Sequence, residues 1–223
     1  MDIELLRQVP LFVNLTSDEC EALAEAMTVR KFPKDCMVIW ADDEGDSFFV
    51  IRFGQVKVSV NASDGREVIL SSLGPGEFFG DMSLLDGQPR SANVTTLIAT
   101  EALVLRRADF LRAVRNYPSI AVHLMVSLAE RLRKADHQTA NLALLGITDR
   151  ICTVLLSIAE DEGIETEDGV VIRRRPTHQM LASMTGTARE TVTRVLKRLV
   201  QEGYIRSRGR ELLILKRDGI IGE

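Results

Sequence analysis

GEFFGDMSLLDGQPRSANV, residues 76–94, sets one arginine among glycines, small residues and hydroxyls. A phosphodiester buried in a protein needs a fixed positive charge, neutral donors, and little bulk where the backbone approaches it. Arg90 can fork onto such an anion. Ser91 and the amides of a short helical turn around Met82 and Ser83 supply neutral donors. Gly80 leaves room for a sugar, and Asp81, nine residues before the arginine, can accept from a ribose hydroxyl. Each residue taken singly also has a purely structural reading.

Outward from this stretch the texture is β. From Phe32 to about Leu105 short apolar runs (CMVIW, FFVIRF, QVKVSV, REVILSSL, ANVTTLIA, EALVL) alternate with turn residues. Val56, Val58 and Val60 alternate with Lys57 and Ser59, the pattern of a half-buried strand. Asp64-Gly65 is a hairpin signal between two such runs. Several strands at regular spacing predict an antiparallel sandwich or barrel, with a jelly roll as the favoured form. Ahead of it, about Ile3 to Met27 reads as helix, with Thr16 and Glu19 as a capping box.

From Asp109 the period becomes helical. Ala121, Met125, Leu128, Leu132, Ala135, Thr139 and Leu142 fall at steps of four and three, a heptad seam. Packing on the barrel is one reading; pairing with a second copy in a C2 dimer is favoured, because the seam runs into the polar ERLRKADHQTAN. Gly146 breaks the pattern and can serve as a hinge. RICTVLLSIAEDEG then reads as a helix, EDGVVIRRRP as a hairpin-like stretch, and two short helices meet at Gly186. YIRSRGRELLIL closes the series with a turn at Gly209, the element order of a winged helix. The fold class is therefore α+β: a barrel, a long helix and a winged helix-turn-helix.

Within TGTARETVTRVLKRL, residues 185–199, Thr187 and Glu190 read as a capping box opening the second of those helices. Arg189, Glu190, Thr193 and Arg194 share a face, with Lys197 a turn further on, and Val192, Val195, Leu196 and Leu199 form the apolar side. Such a helix can lie in a major groove, with arginine forking onto guanine and glutamate accepting from cytosine. Arg206, Arg208 and Arg210 on the wing can hold phosphates. A net charge of −4 conceals a split: residues 169–217 carry +9 and the remainder −13. That asymmetry points to a polyanion partner for the basic part.

Apolar residues at 45% and charged residues at 27% are an ordinary globular balance over 223 residues, enough for two modest domains. The opening MDIELLRQVPLF lacks the order of a signal peptide, and no apolar run approaches the roughly 20 residues of a membrane span. A cytoplasmic protein without a membrane partner is expected. Cys20, Cys36 and Cys152 are scattered, which argues against disulfides, structural zinc or an iron-sulfur cluster.

FGDMSLLDGQPRSA resembles the phosphate-binding cassette of cyclic-nucleotide-binding domains, and GDSFFVIRFGQVKV the glycine-bounded strands of the same barrel. Almost end to end, the chain is similar to the Crp/Fnr family of transcription regulators, its cyclic-AMP-responsive members in particular. The resemblance implies a homodimer that binds double-stranded DNA under control of a cyclic nucleotide and acts on RNA polymerase. Its domains would be a cyclic-nucleotide-binding domain over 1–117, a dimerisation helix and hinge over 118–146, and the DNA-binding domain over 147–223.

By that resemblance Arg90 and Ser91 contact the cyclic phosphate, Gly80 the sugar and Asp81 the ribose, with Arg131 steadying the acid. Asp81 replaces the family's usual glutamate. At the base-reading positions, where cyclic AMP sensors carry Thr then Ser, stand Ala135 and Asp136. ARETVTR matches the family's recognition helix at Arg189, Glu190 and Arg194, which implies a palindrome with TGTGA-like half-sites. Cyclic AMP is the expected ligand; cyclic GMP, cyclic di-GMP or no nucleotide is the alternative. The acidic stretch 159–168 occupies the region where relatives touch RNA polymerase, with a composition unlike theirs. A haem or redox sensor would need cysteines near the N-terminus or histidines in the barrel, and His123, His137 and His178 lie elsewhere. An enzyme would need a nucleophile, metal or P-loop constellation after Gly146, and none is read there.

Overall fold

The turn residues partition the first half of the chain into eight strands. The computed structural model describes residues 6–7 and 9–215, so Ile3, Lys216 and Arg217 lie outside the described residues. The strands are β1 (Thr28–Phe32), β2 (Met37–Ile39), β3 (Ser47–Phe53), β4 (Val56–Asn61), β5 (Glu67–Leu73), β6 (Phe78–Phe79), β7 (Asn93–Thr96) and β8 (Thr100–Arg106). They make two four-stranded sheets, ordered β1-β8-β3-β6 and β2-β7-β4-β5. The expected Asp64-Gly65 hairpin joins β4 to β5; Gly65 sits at φ 84° and Arg66 folds back onto the Asp64 carboxylate.

β3 is buried on both faces, which is why SFFVIRF reads as an apolar run rather than an alternation. Phe49 and Ile51 join Ile39, Val56, Phe79, Val94, Ala102 and Val104 in one core. Phe48 and Val50 turn the other way, into a core shared with Leu84, Leu103, Leu105, Phe110, Ile120 and Leu124. Phe49 stacks on Phe79 at 4.8 Å and Phe48 on Phe110 at 4.9 Å. Each such ring stabilises the fold by about 1.5–3 kcal/mol on burial, and together they fix β6 at the edge from which residues 80–83 leave. On β4 the alternation is partial: Val56 is buried, but so is Ser59, opposite the buried Asn93 of β7.

The continuous opening helix is not found. A 3-10 turn at Pro10–Phe12 is followed by α1 (Ser17–Glu25), because Pro10 lacks the N–H that a continuing helix needs. The Thr16–Glu19 capping box is present in both its bonds. After β6 come α2 (Met82–Asp86) and, beyond β8, α3 (Arg107–Asn116) and the 27-residue α4 (Pro118–Leu144).

Of the stripe predicted on α4, Leu128 packs against the barrel core, Ala121 is half-buried, and Met125, Leu132, Ala135, Thr139 and Leu142 are exposed. Ile120, Leu124 and Leu128 pack on the barrel core, whereas Val122, Met125, Val126, Leu132 and Leu142 stand exposed. The helix breaks after Leu144, and Gly146 caps the next one, α5 (Ile147–Glu162).

The described residues form two compact units, one of those up to 61 together with 69–133, the other of 62–68 together with those from 134 onward. The second holds α5, α6 (His178–Thr185), α7 (Arg189–Gln201) and a four-stranded sheet of order β11-β12-β10-β9. Its strands are β9 (Ile164–Thr166), β10 (Gly169–Ile172), β11 (Ile205–Arg208) and β12 (Glu211–Ile214). Its core gathers Ile151, Leu155, Leu181, Val192, Val195, Leu196, Leu199 and Leu212. Among the described residues no helix is long and apolar enough to cross a membrane. The three cysteines are free thiols, and burial pushes Cys152 up to about 11.

Candidate anion pocket and nucleic-acid interface

The backbone of Arg90 is fixed on both sides: its N–H donates to Asp43 O at 2.9 Å and its carbonyl accepts from Asp42 N at 2.9 Å. The side chain, 7% exposed, reaches inward. Nη1 donates to Gly80 O at 2.8 Å and Ser83 Oγ at 2.9 Å, and Nη2 to Ser47 O at 2.8 Å. All three acceptors are neutral. Burial pulls the guanidinium below its usual basicity, and the charges of Asp46 and Asp81 only oppose this. Taking a cation out of water with no carboxylate bonded to it costs several kcal/mol, on the order of the penalty for a buried ion, and the more distant charges of Asp46 and Asp81 offset this only in part. An anion arriving at its free edge offsets that cost.

Gly80 sits at φ 83°, and a Cβ there would lie 2.8 Å from both Arg90 Nη1 and Ser47 O. The space it leaves open is taken first by the arginine and the strand, so the glycine is required before any sugar is considered. Gly45 carries no signal in the sequence as a site residue, though its added Cβ would meet Ser83 Oγ at 2.2 Å and Arg90 Nε at 2.6 Å. Nothing local in the sequence distinguishes it from a strand-bounding glycine.

Asp81 is 2% exposed, and its two oxygens accept from Arg131 Nη1 at 3.0 and 3.1 Å. Arg131 Nη2 donates to Phe78 O at 3.0 Å, and the guanidinium lies 4.8 Å above the Phe78 ring. The acid is thus tied to α4. Ser91 and Met82 are exposed, with Ser91 Oγ 3.7 Å from the Met82 sulfur. Gly80, Asp81, Ser83 and Arg90 therefore come together with Arg131. Ala135 and Asp136 stand exposed further along α4.

In the second unit Gly186, at φ 64°, ends α6 and turns the chain into α7. The expected Thr187 cap is not formed. Thr187 N–H donates to Ala182 O at 3.0 Å, which spends that residue on the turn, and Ala188 becomes the N-cap without a side-chain bond. Arg189, Glu190, Arg194 and Lys197 are exposed, while Val192, Val195, Leu196 and Leu199 are buried as the sequence predicts. Thr193 is half-buried: it donates to Arg189 O at 3.0 Å and lies 2.8 Å from His178 Nδ1. It ties α7 to α6 rather than standing clear. Burial, helped by Arg175 and Arg189, holds His178 below its ordinary value. Arg175, His178, Lys197 and Ser207 line a groove between α7 and the wing; the sequence reading of the DNA-binding face does not include Arg175 or His178. Arg206, Arg208 and Arg210 are exposed on β11 and its turn at Gly209, φ 62°.

Comparison with known proteins agrees with both halves. A family model described as a cyclic nucleotide-binding domain matches residues 29–117, and one described as a Crp-like helix-turn-helix domain matches 149–221. The cyclic AMP receptor protein of Thermus thermophilus is 36% identical over 197 residues, 88% of this chain and 88% of that one. A CRP-like cAMP-activated global transcriptional regulator of Mycobacterium tuberculosis is 30% identical over 212 residues, 95% of this chain and 94% of the relative. Among solved structures, the c-di-GMP responsive global regulator CLP of Xanthomonas campestris matches at TM-score 0.80 and 25% identity, covering 90% of this chain and 100% of that one. With a matching domain at each end and relatives aligned along nearly its whole length, the chain belongs to the Crp/Fnr family: it is a cyclic-nucleotide-responsive, DNA-binding transcription regulator and not an enzyme.

Proposed function

We propose that the signal is cyclic AMP, that the protein acts as a homodimer, and that it reads a palindrome with TGTGA-like half-sites. The observation that carries the ligand reading is Arg90, a buried guanidinium held only by neutral acceptors beside Gly80 and Asp81. The cyclic phosphate supplies an anion bonded directly to the guanidinium, with Ser91 as a further donor and Asp81 accepting from the ribose. Relatives named for cyclic AMP, at 30% and 36% identity, support the choice of nucleotide. Cyclic GMP is the second reading. The carboxylate of Asp136 suits the two adjacent donors of guanine better than the single amino group of adenine.

Because Asp81 grips Arg131, ligand at the pocket acts on α4 directly. The helix breaks at 145–146 before the DNA-binding unit. Ligand that favours one setting of this helix and hinge shifts the population toward the state that binds DNA, by no more than its differential affinity for the two states.

The exposed apolar row of α4, Val122, Met125, Val126 and Leu132, is the surface that pairing with a second copy covers. Leu132→Asp places a charge in that seam, at a cost of about 2 kcal/mol or more, at least ~30-fold in dimer affinity. Sedimentation equilibrium is expected to show a monomer that melts as the wild type does. A dimer of unchanged affinity excludes this face. The full reading is tested by titrating a fluorescent TGTGA palindrome with and without cyclic AMP. Tighter binding with nucleotide, at two chains per palindrome, supports it, and equal affinity on scrambled DNA contradicts it.

A further inference from the structure

We infer that Ser83 is a positioning residue for Arg90, and that position 45 is glycine so that the Ser83 hydroxyl can reach the guanidinium. The inference rests on the cyclic-nucleotide reading of the pocket and goes beyond it by naming what holds its cation in place. Ser83 is 4% exposed, on the first turn of α2, and its Oγ accepts from Arg90 Nη1 at 2.9 Å. The same Nη1 donates to Gly80 O, and Nη2 to Ser47 O, so three acceptors from three segments set the guanidinium plane. Only Ser83 Oγ is a side-chain atom, and so only it can be removed without altering the backbone.

The steric side is equally specific. A Cβ on Gly45 would lie 2.2 Å from Ser83 Oγ, 2.6 Å from Arg90 Nε and 2.8 Å from Arg90 Cζ. An alanine at 45 and this hydroxyl bond cannot coexist without displacing one or both partners. Arginine is a long side chain with much rotamer freedom to lose on ordering, at an entropic cost. Settling it before ligand arrives spares the ligand part of that cost. Ser83 thus acts on the anion through Arg90, and Gly45 acts through both.

The test uses the full-length chain, with cyclic AMP and cyclic GMP titrated calorimetrically and unliganded melting followed by circular dichroism. Ser83→Ala is expected to weaken the bound nucleotide about tenfold, as loss of one hydrogen bond to a charged group does, while melting stays within a few degrees of wild type. Gly45→Ala is expected to weaken it by about 100-fold or more. In the double variant Gly45→Ala/Ser83→Ala, compared with Ser83→Ala alone, the added cost of alanine at 45 should shrink severalfold, a rescue that a merely destabilising change does not produce. If Gly45→Ala fails to fold, Ser83→Ala alone decides. Wild-type affinity in Ser83→Ala, or full additivity in the double variant, overturns the inference. Arg90→Leu separates the two failures: if it too binds like wild type, the pocket reading falls with the inference; if it abolishes binding, only the positioning role falls.

Discussion

Arg90→Leu is expected to abolish cyclic nucleotide binding in a protein that still folds. On the proposed reading the guanidinium of Arg90, a residue 7% exposed, offers a phosphodiester two charge-assisted donors, and each such bond contributes about 1.5–3 kcal/mol. Loss of both lowers affinity by roughly 100-fold to 10,000-fold, beyond detection in a calorimetric titration. Stability moves far less, because two effects oppose. Removing a buried cation that pairs with no carboxylate relieves its desolvation. Leaving Gly80 O, Ser83 Oγ and Ser47 O without their donor costs about 1–3 kcal/mol per unsatisfied group, less where water enters the pocket. Retained dimer and retained cooperative melting, with no heat on nucleotide addition, is the expected pair of results. Unchanged nucleotide affinity removes the assignment of this stretch.

The second large effect is at the other end of the chain. Arg189 opens α7 and is exposed, free to fork onto a base edge. Arg189→Ala should cost about 1–3 kcal/mol per half-site, and a dimer carries the change twice, so specific affinity falls by roughly 30-fold to 10,000-fold. Binding to scrambled DNA should fall only by the small share of one phosphate-neutralising charge. Competition titrations of the two DNAs separate these outcomes. An equal loss on both means that Arg189 touches phosphate and reads nothing.

Much of the fold is legible in the sequence wherever local chemistry decides local shape. Thr16 with Glu19, Asp64 with Gly65, and the glycines at 186 and 209 each demand one turn or cap, and each is found there. The strands that the sequence hides are those without a burial pattern to betray them. β1 is exposed at four of five positions, and β6 is two residues long. The helix cap expected at Thr187 falls one residue later because the tertiary turn at Gly186, closed by Ala182 O, consumes that threonine. The barrel-facing Ile120 and Leu124 of α4 fall outside the predicted stripe, since heptad spacing does not say which face meets a domain's own barrel. Gly45 lies beyond the reach of sequence for a similar reason. Its requirement arises from Ser83 and Arg90, some forty residues away along the chain, and exists only where all three are packed together.

The most direct test of the central claim is calorimetric titration of the purified protein with cyclic AMP and with cyclic GMP, in the presence and absence of a TGTGA palindrome. Linkage requires that a nucleotide which tightens DNA binding be bound more tightly, by the same factor, when DNA is present. The expected result is saturable binding of cyclic AMP at one site per chain, strengthened by the palindrome. Preference for cyclic GMP would move the base-reading role to Asp136 while keeping the mechanism. Cyclic nucleotide affinity that is absent, or identical with and without DNA, would contradict the account.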